Sequence, residues 1–298
     1  SRWEYYIRKP VGTLANASRL GLKVGHAASG VLGDNFLSRI SGGAWKKNMP
    51  HAGKAPTVRV TQGDPVVYFP TCGGRLFGPS TAGEKQLGDV VVELLTRARY
   101  APILPEGFDR LCCGQMLASK GMAAEAEGMS NTLEAALMKA SENGKYPVIM
   151  DASTCTARMQ KHLAGRLTLY DFHEFAVDAL LPRLVINRER GPVALHVNCS
   201  VRKNGADGKL RQLLKACAEE IIEPAGVTCC GFAGDGGFVV RGVSRHAVRE
   251  IQEEVPDSCA CGVSTNRTCE IGLTAETGRN YQSIAFLLEK CSRPQPAC

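Results

Sequence analysis

The sequence predicts an α/β fold of two similar lobes, each a small parallel sheet flanked by helices, set behind a helical arm. Three observations predict it: apolar runs alternate with long amphipathic segments from residue 65 onward, that order recurs in the second half, and the cysteines recur with it. At 298 residues and 44% hydrophobic, the chain can bury one large core or two ordinary ones.

Taken in order, residues 1–60 are the arm and linker. They hold no Cys, show helical apolar spacing over 11–40, and leave through a Gly-, Pro- and Lys-rich stretch at 42–56. The opening Ser1-Arg2-Trp3 carries no initiator Met, so the chain is expected to be cut from something longer or processed. The arm suits docking on a membrane or a flavoprotein, or more simply packing against a neighbouring domain upstream.

The first lobe is expected over 61–188. Residues 66–69 read as a strand, 83–99 as a helix, 121–143 as a longer helix and 147–151 as a strand. The second lobe, 189–298, repeats the order, with strands at 193–197 and 262–265 and helices at 209–220, 244–255 and 281–289.

The cysteines follow the same repeat. Val67-Tyr68-Phe69-Pro70-Thr71-Cys72 answers to Leu195-His196-Val197-Asn198-Cys199, and Leu111-Cys112-Cys113-Gly114 to Thr228-Cys229-Cys230-Gly231. Asp151-Ala152-Ser153-Thr154-Cys155 answers to Thr265-Asn266-Arg267-Thr268-Cys269. In each copy the first Cys follows a strand, the pair sits in a Gly-bounded loop, and the last Cys opens a helix. Parallel sheets bind ligands beyond the carboxyl ends of their strands, so four sulfurs from three loops can converge there. A Gly after the pair permits a sharp turn, and helix-start amides favour thiolate.

Converging thiolates select zinc, copper(I) or iron–sulfur clusters. Structural zinc sites favour Cys-x-x-Cys, which is absent here, and a cluster takes two adjacent cysteines on different irons more easily than one ion does. The same absence disfavours a thioredoxin dithiol and a ferredoxin ligand run. A single free Cys is usually a small buried hydrophobe, but two matched Cys-Cys-Gly triplets are hard to obtain from packing. Cys217, Cys259, Cys261, Cys291 and Cys298 lie outside the repeat and are expected to be structural.

With these residues, and with Leu104-Pro105-Glu106-Gly107, Ser119-Lys120-Gly121, Cys230-Gly231-Phe232-Ala233-Gly234-Asp235 and Arg267-Thr268-Cys269-Glu270-Ile271-Gly272-Leu273, the sequence resembles the cysteine-rich (CCG) domain family over about 65–290. That family includes one of the polypeptides of heterodisulfide reductase, the glycolate oxidase iron-sulfur subunit and lactate-utilisation proteins. The closest likeness is to the carboxyl-terminal half of bacterial FAD-linked D-lactate dehydrogenases.

The resemblance implies an oxidoreductase role. Cys72, Cys112, Cys113, Cys155, Cys199, Cys229, Cys230 and Cys269 would hold one or two iron–sulfur clusters of the 4Fe-4S type. Electrons would come from FAD in an upstream dehydrogenase domain or a separate subunit, through a ferredoxin-like domain, and go to a quinone or cytochrome. The family ends each copy in Cys-x-x-Cys, whereas Ala152 and Asn266 stand where the earlier cysteine would be. Four cysteines per site remain, which disfavours heterodisulfide-type chemistry and points to simpler clusters, with Asp151 or another non-Cys group nearby.

Arg158, Arg202, Lys203 and Arg267 each lie within four residues of a candidate ligand, where positive charge would raise a cluster's potential. Ordinary solvated charge is an equal alternative for each. His196 precedes Cys199 and is expected to be a hydrogen-bonded core histidine rather than a ligand. The 231–237 run lacks dinucleotide spacing and is expected to shape the cluster pocket.

The net charge of +7 is carried by scattered Lys and Arg with only 6% aromatics, a poor footprint for nucleic acid. It is read instead as counter-charge, since two four-thiolate cubanes would offset about four positive charges. No run is long and apolar enough to span a membrane, so the protein is expected in the cytoplasm, at most peripheral on the inner membrane face. Two rival readings are a zinc- or cluster-stabilised assembly protein without redox activity, and a thiol–disulfide reductase.

Overall fold

The structure is a computed structural model and describes residues 11–240 and 242–296, so the start at Ser1 and Cys298 lie outside it. The arm is helix α1 (Val11–Leu32) followed by α2 (Asp34–Ile40). Leu22 and Leu37 turn inward onto Trp45 and Met49, with Phe77 and Phe238 of the two lobes beneath.

Lobe one begins with β1 (Asp64–Phe69), whose residues 66–69 are almost wholly buried, as a run of Val and aromatics within a two-sided sheet should be. After α3 (Cys72–Leu76), helix α4 (Leu87–Arg97) places Leu87, Val90, Val91, Leu94 and Leu95 on one buried stripe. Each such side chain stabilises the fold by about 1.5–3 kcal/mol. Then come β2 (Tyr100–Ile103), α5 (Gln115–Ala118), α6 (Ala123–Ala140), β3 (Val148–Met150), α7 (Ser153–Leu163), β4 (Leu169–Asp171) and α8 (Phe172–Phe175). The strands are all parallel, in the order β2-β1-β3-β4.

Strand β5 (Leu184–Ile186) leads into lobe two: β6 (Glu189–Leu195), α9 (Cys199–Lys203), α10 (Asp207–Cys217), β7 (Ala218–Ile222), α11 (Val243–Ala247), α12 (Arg249–Glu254), β8 (Cys261–Ser264), α13 (Arg267–Thr277), β9 (Asn280–Ser283) and α14 (Ile284–Cys291). Its sheet is parallel in the order β7-β6-β8-β9, the same topology as lobe one. The final strand β10 (Ser292–Pro294) returns to pair antiparallel with β5.

Alternation along the central strands sorts side chains into layers. Val66 and Tyr68 of β1 join Val193 and Leu195 of β6 in one core shared by both lobes, together with α4, α8, α10 and α14. Val67 and Phe69 face the opposite way, into a core with α6 and α7, while Ala194 faces α12 and α13.

Several expected helices are shorter or broken. The first starts at Leu87 rather than 83; the helix expected over 209–220 stops at Cys217, where β7 begins; and that over 244–255 divides at Val248, whose ψ of 12° leaves the helical range. The closing helix opens only at Ile284, because Tyr281 and Gln282 pair with Gly262 and Val263 in β9.

Candidate metal centre

All eight repeat cysteines sit at the carboxyl edges of the two sheets. Cys72 and Cys199 open α3 and α9 directly after β1 and β6, and Cys155 and Cys269 are the third residues of α7 and α13, after β3 and β8. The Cys-Cys pairs lie in the loops that leave β2 and β7. Since β1 leads to β2 on one side of the sheet and β3 leads to β4 on the other, the loops after β1 and β3 part around a crevice at a topological switch point.

Local backbone geometry holds each pair in the same way. Gly114 has φ +77° and its amide lies 3.4 Å from Cys112 Sγ; Gly231 has φ +66° and its amide lies 3.4 Å from Cys229 Sγ. A Cβ at Gly114 would stand 2.3 Å from the Ala126 carbonyl oxygen, and one at Gly231 would stand 2.8 Å from Ser244 Cα. Both positions therefore require glycine on two counts.

In lobe one the four thiols form a closed ring. Cys72 meets Cys112 at 3.9 Å between sulfurs, and its hydrogen bonds run to Cys112 and Cys155, while Cys113 bonds both Cys112 and Cys155. The Cys112 thiol pushes Cys72 up to about 12, and the Cys113 thiol pushes Cys112 up to about 11. Hydrogen bonds from Cys112 and Cys155 hold Cys113 well below the usual thiol range, and Cys155 rises in turn.

Lobe two arranges its sulfurs as an open chain. Cys229 bonds Cys199 and Cys230, and Cys230 lies 2.9 Å from Cys269 Sγ. The Cys230 contact pushes Cys229 up. At Cys230 the Cys229 contact acts downward, but Cys269 and burial together outweigh it. Cys199 and Cys229 are exposed, whereas in lobe one no member is. These contacts run sulfur to sulfur; among the described residues no three His, Cys, Asp or Glu side chains are grouped to hold a single metal ion.

Buried polar residues fix the loops. Arg75, 3% exposed, donates to the carbonyls of Phe108 (2.5 Å) and Leu111 (2.6 Å), tying the helix that starts at Cys72 to the loop before Cys112. Asp151 accepts from Tyr68 Oη at 2.7 Å and from the Thr71 amide at 2.9 Å, next to Cys72. Burial raises its pKa against those two bonds. In lobe two the Asn198 side chain caps the helix that Cys199 opens, its Oδ1 accepting from the amides of Ser200 (3.0 Å) and Val201 (3.1 Å).

The predicted basic residues divide. Arg158 Nε donates to the Cys113 carbonyl at 2.6 Å, and Arg202 Nε to the Val197 carbonyl at 3.2 Å. Arg267 spans the lobes, donating to the carbonyls of Phe77 (3.2 Å) and Gly78 and pairing with buried Glu270 at 3.1 Å. Lys203 is exposed. His196 is buried, with Nδ1 3.0 Å from Ser264 Oγ and Nε2 without a protein partner. Sequence reading missed Arg75, although it stands three residues from Cys72 and so met the criterion that singled out Arg202 three residues after Cys199.

The loops before Cys155 and Cys269 meet across the lobe boundary. The Ser153 amide donates to the Thr265 carbonyl at 3.1 Å, the two side-chain hydroxyls lie 2.7 Å apart, and Asn266 bonds Thr154. Around this seam the two thiol sites are arranged as a pair.

The fold and site define a duplicated α/β protein with a cysteine quartet at the carboxyl edge of each parallel sheet. The chain belongs to the cysteine-rich domain (CCG) family, whose model matches residues 66–160 and 193–274, one segment per lobe. No curated protein matches the chain. Membership of this family is consistent with an iron–sulfur module of an oxidoreductase, and no helix among the described residues is long and apolar enough to cross a membrane.

Proposed function

We propose that the two quartets, Cys72, Cys112, Cys113 and Cys155 in one lobe and Cys199, Cys229, Cys230 and Cys269 in the other, are the ligands of iron–sulfur clusters. The observation that carries this reading is the closed ring of four thiols drawn from three separate strand ends, on a topology that recurs in lobe two. An all-thiol donor set suits soft metals and clusters, not hard cations. A bound cluster supplies one-electron transfer.

The chain's own residues set the conditions for it. The Gly114 and Gly231 amides face the Cys112 and Cys229 sulfurs and stabilise negative charge on them. Arg158, Arg202, Lys203 and Arg267 place positive charge within a few residues of the ligands, which raises a reduction potential.

On this reading the chain is the electron-transfer portion of a flavin-linked D-2-hydroxy-acid dehydrogenase in the cytoplasm. Electrons would reach the cluster ligands from FAD held by an upstream domain or a partner, through a ferredoxin-like domain, and would leave to a quinone or cytochrome. Residues 1–60, 61–188 and 189–298 are the proposed arm, first lobe and second lobe.

Iron and acid-labile sulfide analysis of anaerobically purified protein, beside Cys113→Ser and Cys230→Ser, tests the ligand assignment. Each substitution is expected to remove one centre, and visible absorption should bleach with dithionite. Unchanged iron in both variants, or colourless protein carrying zinc, overturns it.

A further inference from the structure

The net positive charge of this chain is concentrated in one segment. Residues 1–60 hold ten Lys and Arg against two Asp and Glu, leaving 26 against 27 in the remainder, which contains every repeat cysteine. Over 11–60 the only acid is Asp34, and it is taken up by Trp45 Nε1 at 2.8 Å and by Ser29. The excess therefore belongs to the arm.

One side of the arm is fixed. Gly25 lies so close under Trp45 that a Cβ would stand 2.1 Å from the ring, His26 stacks on His51 at 3.8 Å, and Arg19 donates to the Arg75 carbonyl at 3.1 Å. Arg75 belongs to α3, the helix that opens at Cys72, so this side of the arm packs beside the first thiol site. The other side is open. Leu20 (63% exposed), Val24 (61%) and Val31 (84%) share a stripe at i, i+4 and i+11, with exposed Ala17, Gly21 and Ala27 among them. Phe36 and Ile40 of α2 are exposed as well, and exposed Lys23, Arg39 and Lys47 lie along the arm. Exposed apolar residues clustered in this way mark an interaction surface.

We propose that this face docks a different protein that presents an apolar helix flanked by acidic residues. Its role as the redox partner rests on the function proposed above; the docking itself does not. Charge selects the occupant: two copies of the arm would bring like charge together, whereas an acidic rim is complementary. Shape suits a helix as the occupant, because Ala17, Gly21 and Ala27 leave room between the larger side chains for another helix to approach closely.

Fluorescence titration of the full chain with two synthetic helical peptides, sharing one Leu/Ala seam but flanked by Glu or by Lys, tests this. The Glu-flanked peptide should bind in a salt-sensitive manner, at least about tenfold more tightly than the Lys-flanked one. Val24→Glu and Val31→Glu, both at exposed positions, should each weaken it by about tenfold with circular dichroism and iron content unchanged. Equal binding of both peptides, no effect of either variant, sedimentation with phosphatidylglycerol vesicles in place of peptide binding, or dimerisation through the arm overturns the proposal. Loss of the cluster reading would appear separately, as absent iron in protein that still binds the peptide.

Discussion

The side chain of Asn266 accepts the Thr154 amide at 3.2 Å and donates back to the Thr154 hydroxyl, across the boundary between lobes. Thr154 immediately precedes Cys155, and Asn266 stands three residues before Cys269. The last cysteine of each quartet is therefore held by contacts to the opposite lobe. Asn266→Ala leaves the part-buried Thr154 amide without its acceptor and is expected to cost about 1 kcal/mol, read as a lowered midpoint in urea unfolding.

Gly114→Ala places a methyl group against the Ala126 carbonyl at a backbone angle that disfavours it. It should destabilise by more than about 1 kcal/mol and reduce the iron of one lobe. Gly121→Ala is the control. Its φ of +80° imposes the same backbone strain, but nothing lies within 4 Å, so it should cost less and leave iron unchanged.

Arg75→Met strips the donors from the Phe108 and Leu111 carbonyls. Hydrogen bonds to a charged group contribute about 1.5–3 kcal/mol each, so the loop before Cys112 should loosen measurably. Amide hydrogen exchange over residues 105–114 should accelerate while that of β6 and β8 does not.

His196 gives the fold an acid-sensitive point. Burial, and then the charge of Arg202, lowers its pKa to about 4. The folded state thus holds the ring neutral, so its contribution is complete above about pH 6.5 and is lost as pH falls towards 4, amounting to about 3 kcal/mol at most. His196→Gln should flatten the pH dependence of unfolding between 6.5 and 4, and an unaltered slope would contradict it.

His173 works with the opposite sign. Burial opposes charging, but Asp171 at 2.7 Å and the Ala206 carbonyl at 3.2 Å outweigh it and raise the pKa. Its stabilising charge is complete below about pH 6.5 and fades as pH rises through the folded value. His173→Gln should lower unfolding midpoints at pH 6 more than at pH 9.

The sequence made the repeat legible because two signals coincide in it. Buried central strands such as 66–69 are unbroken apolar runs, and the cysteine phrases fall at matching places after them. Edge strands were hidden for physical reasons. β2 carries Pro102, tolerable at a sheet edge but a sign of a turn when read in sequence, and β7 alternates into Glu219 and Glu220, which continue the preceding helical pattern. At the site, cysteine spacing pointed to the ring, but the parts that orient it were silent. Asp151 reaches Thr71 across 80 residues and Arg75 reaches Leu111 across 36, and neither link has a local pattern.

The core common to both sheets sets how the molecule comes apart. Leu94 and Leu95 of α4 share it with Leu213 and Leu214 of α10 and Leu288 of α14, so neither half can cover its own inner face. A nick near residue 187 would leave fragments that remain associated until denatured, and calorimetry of the intact chain should record one melting transition rather than two.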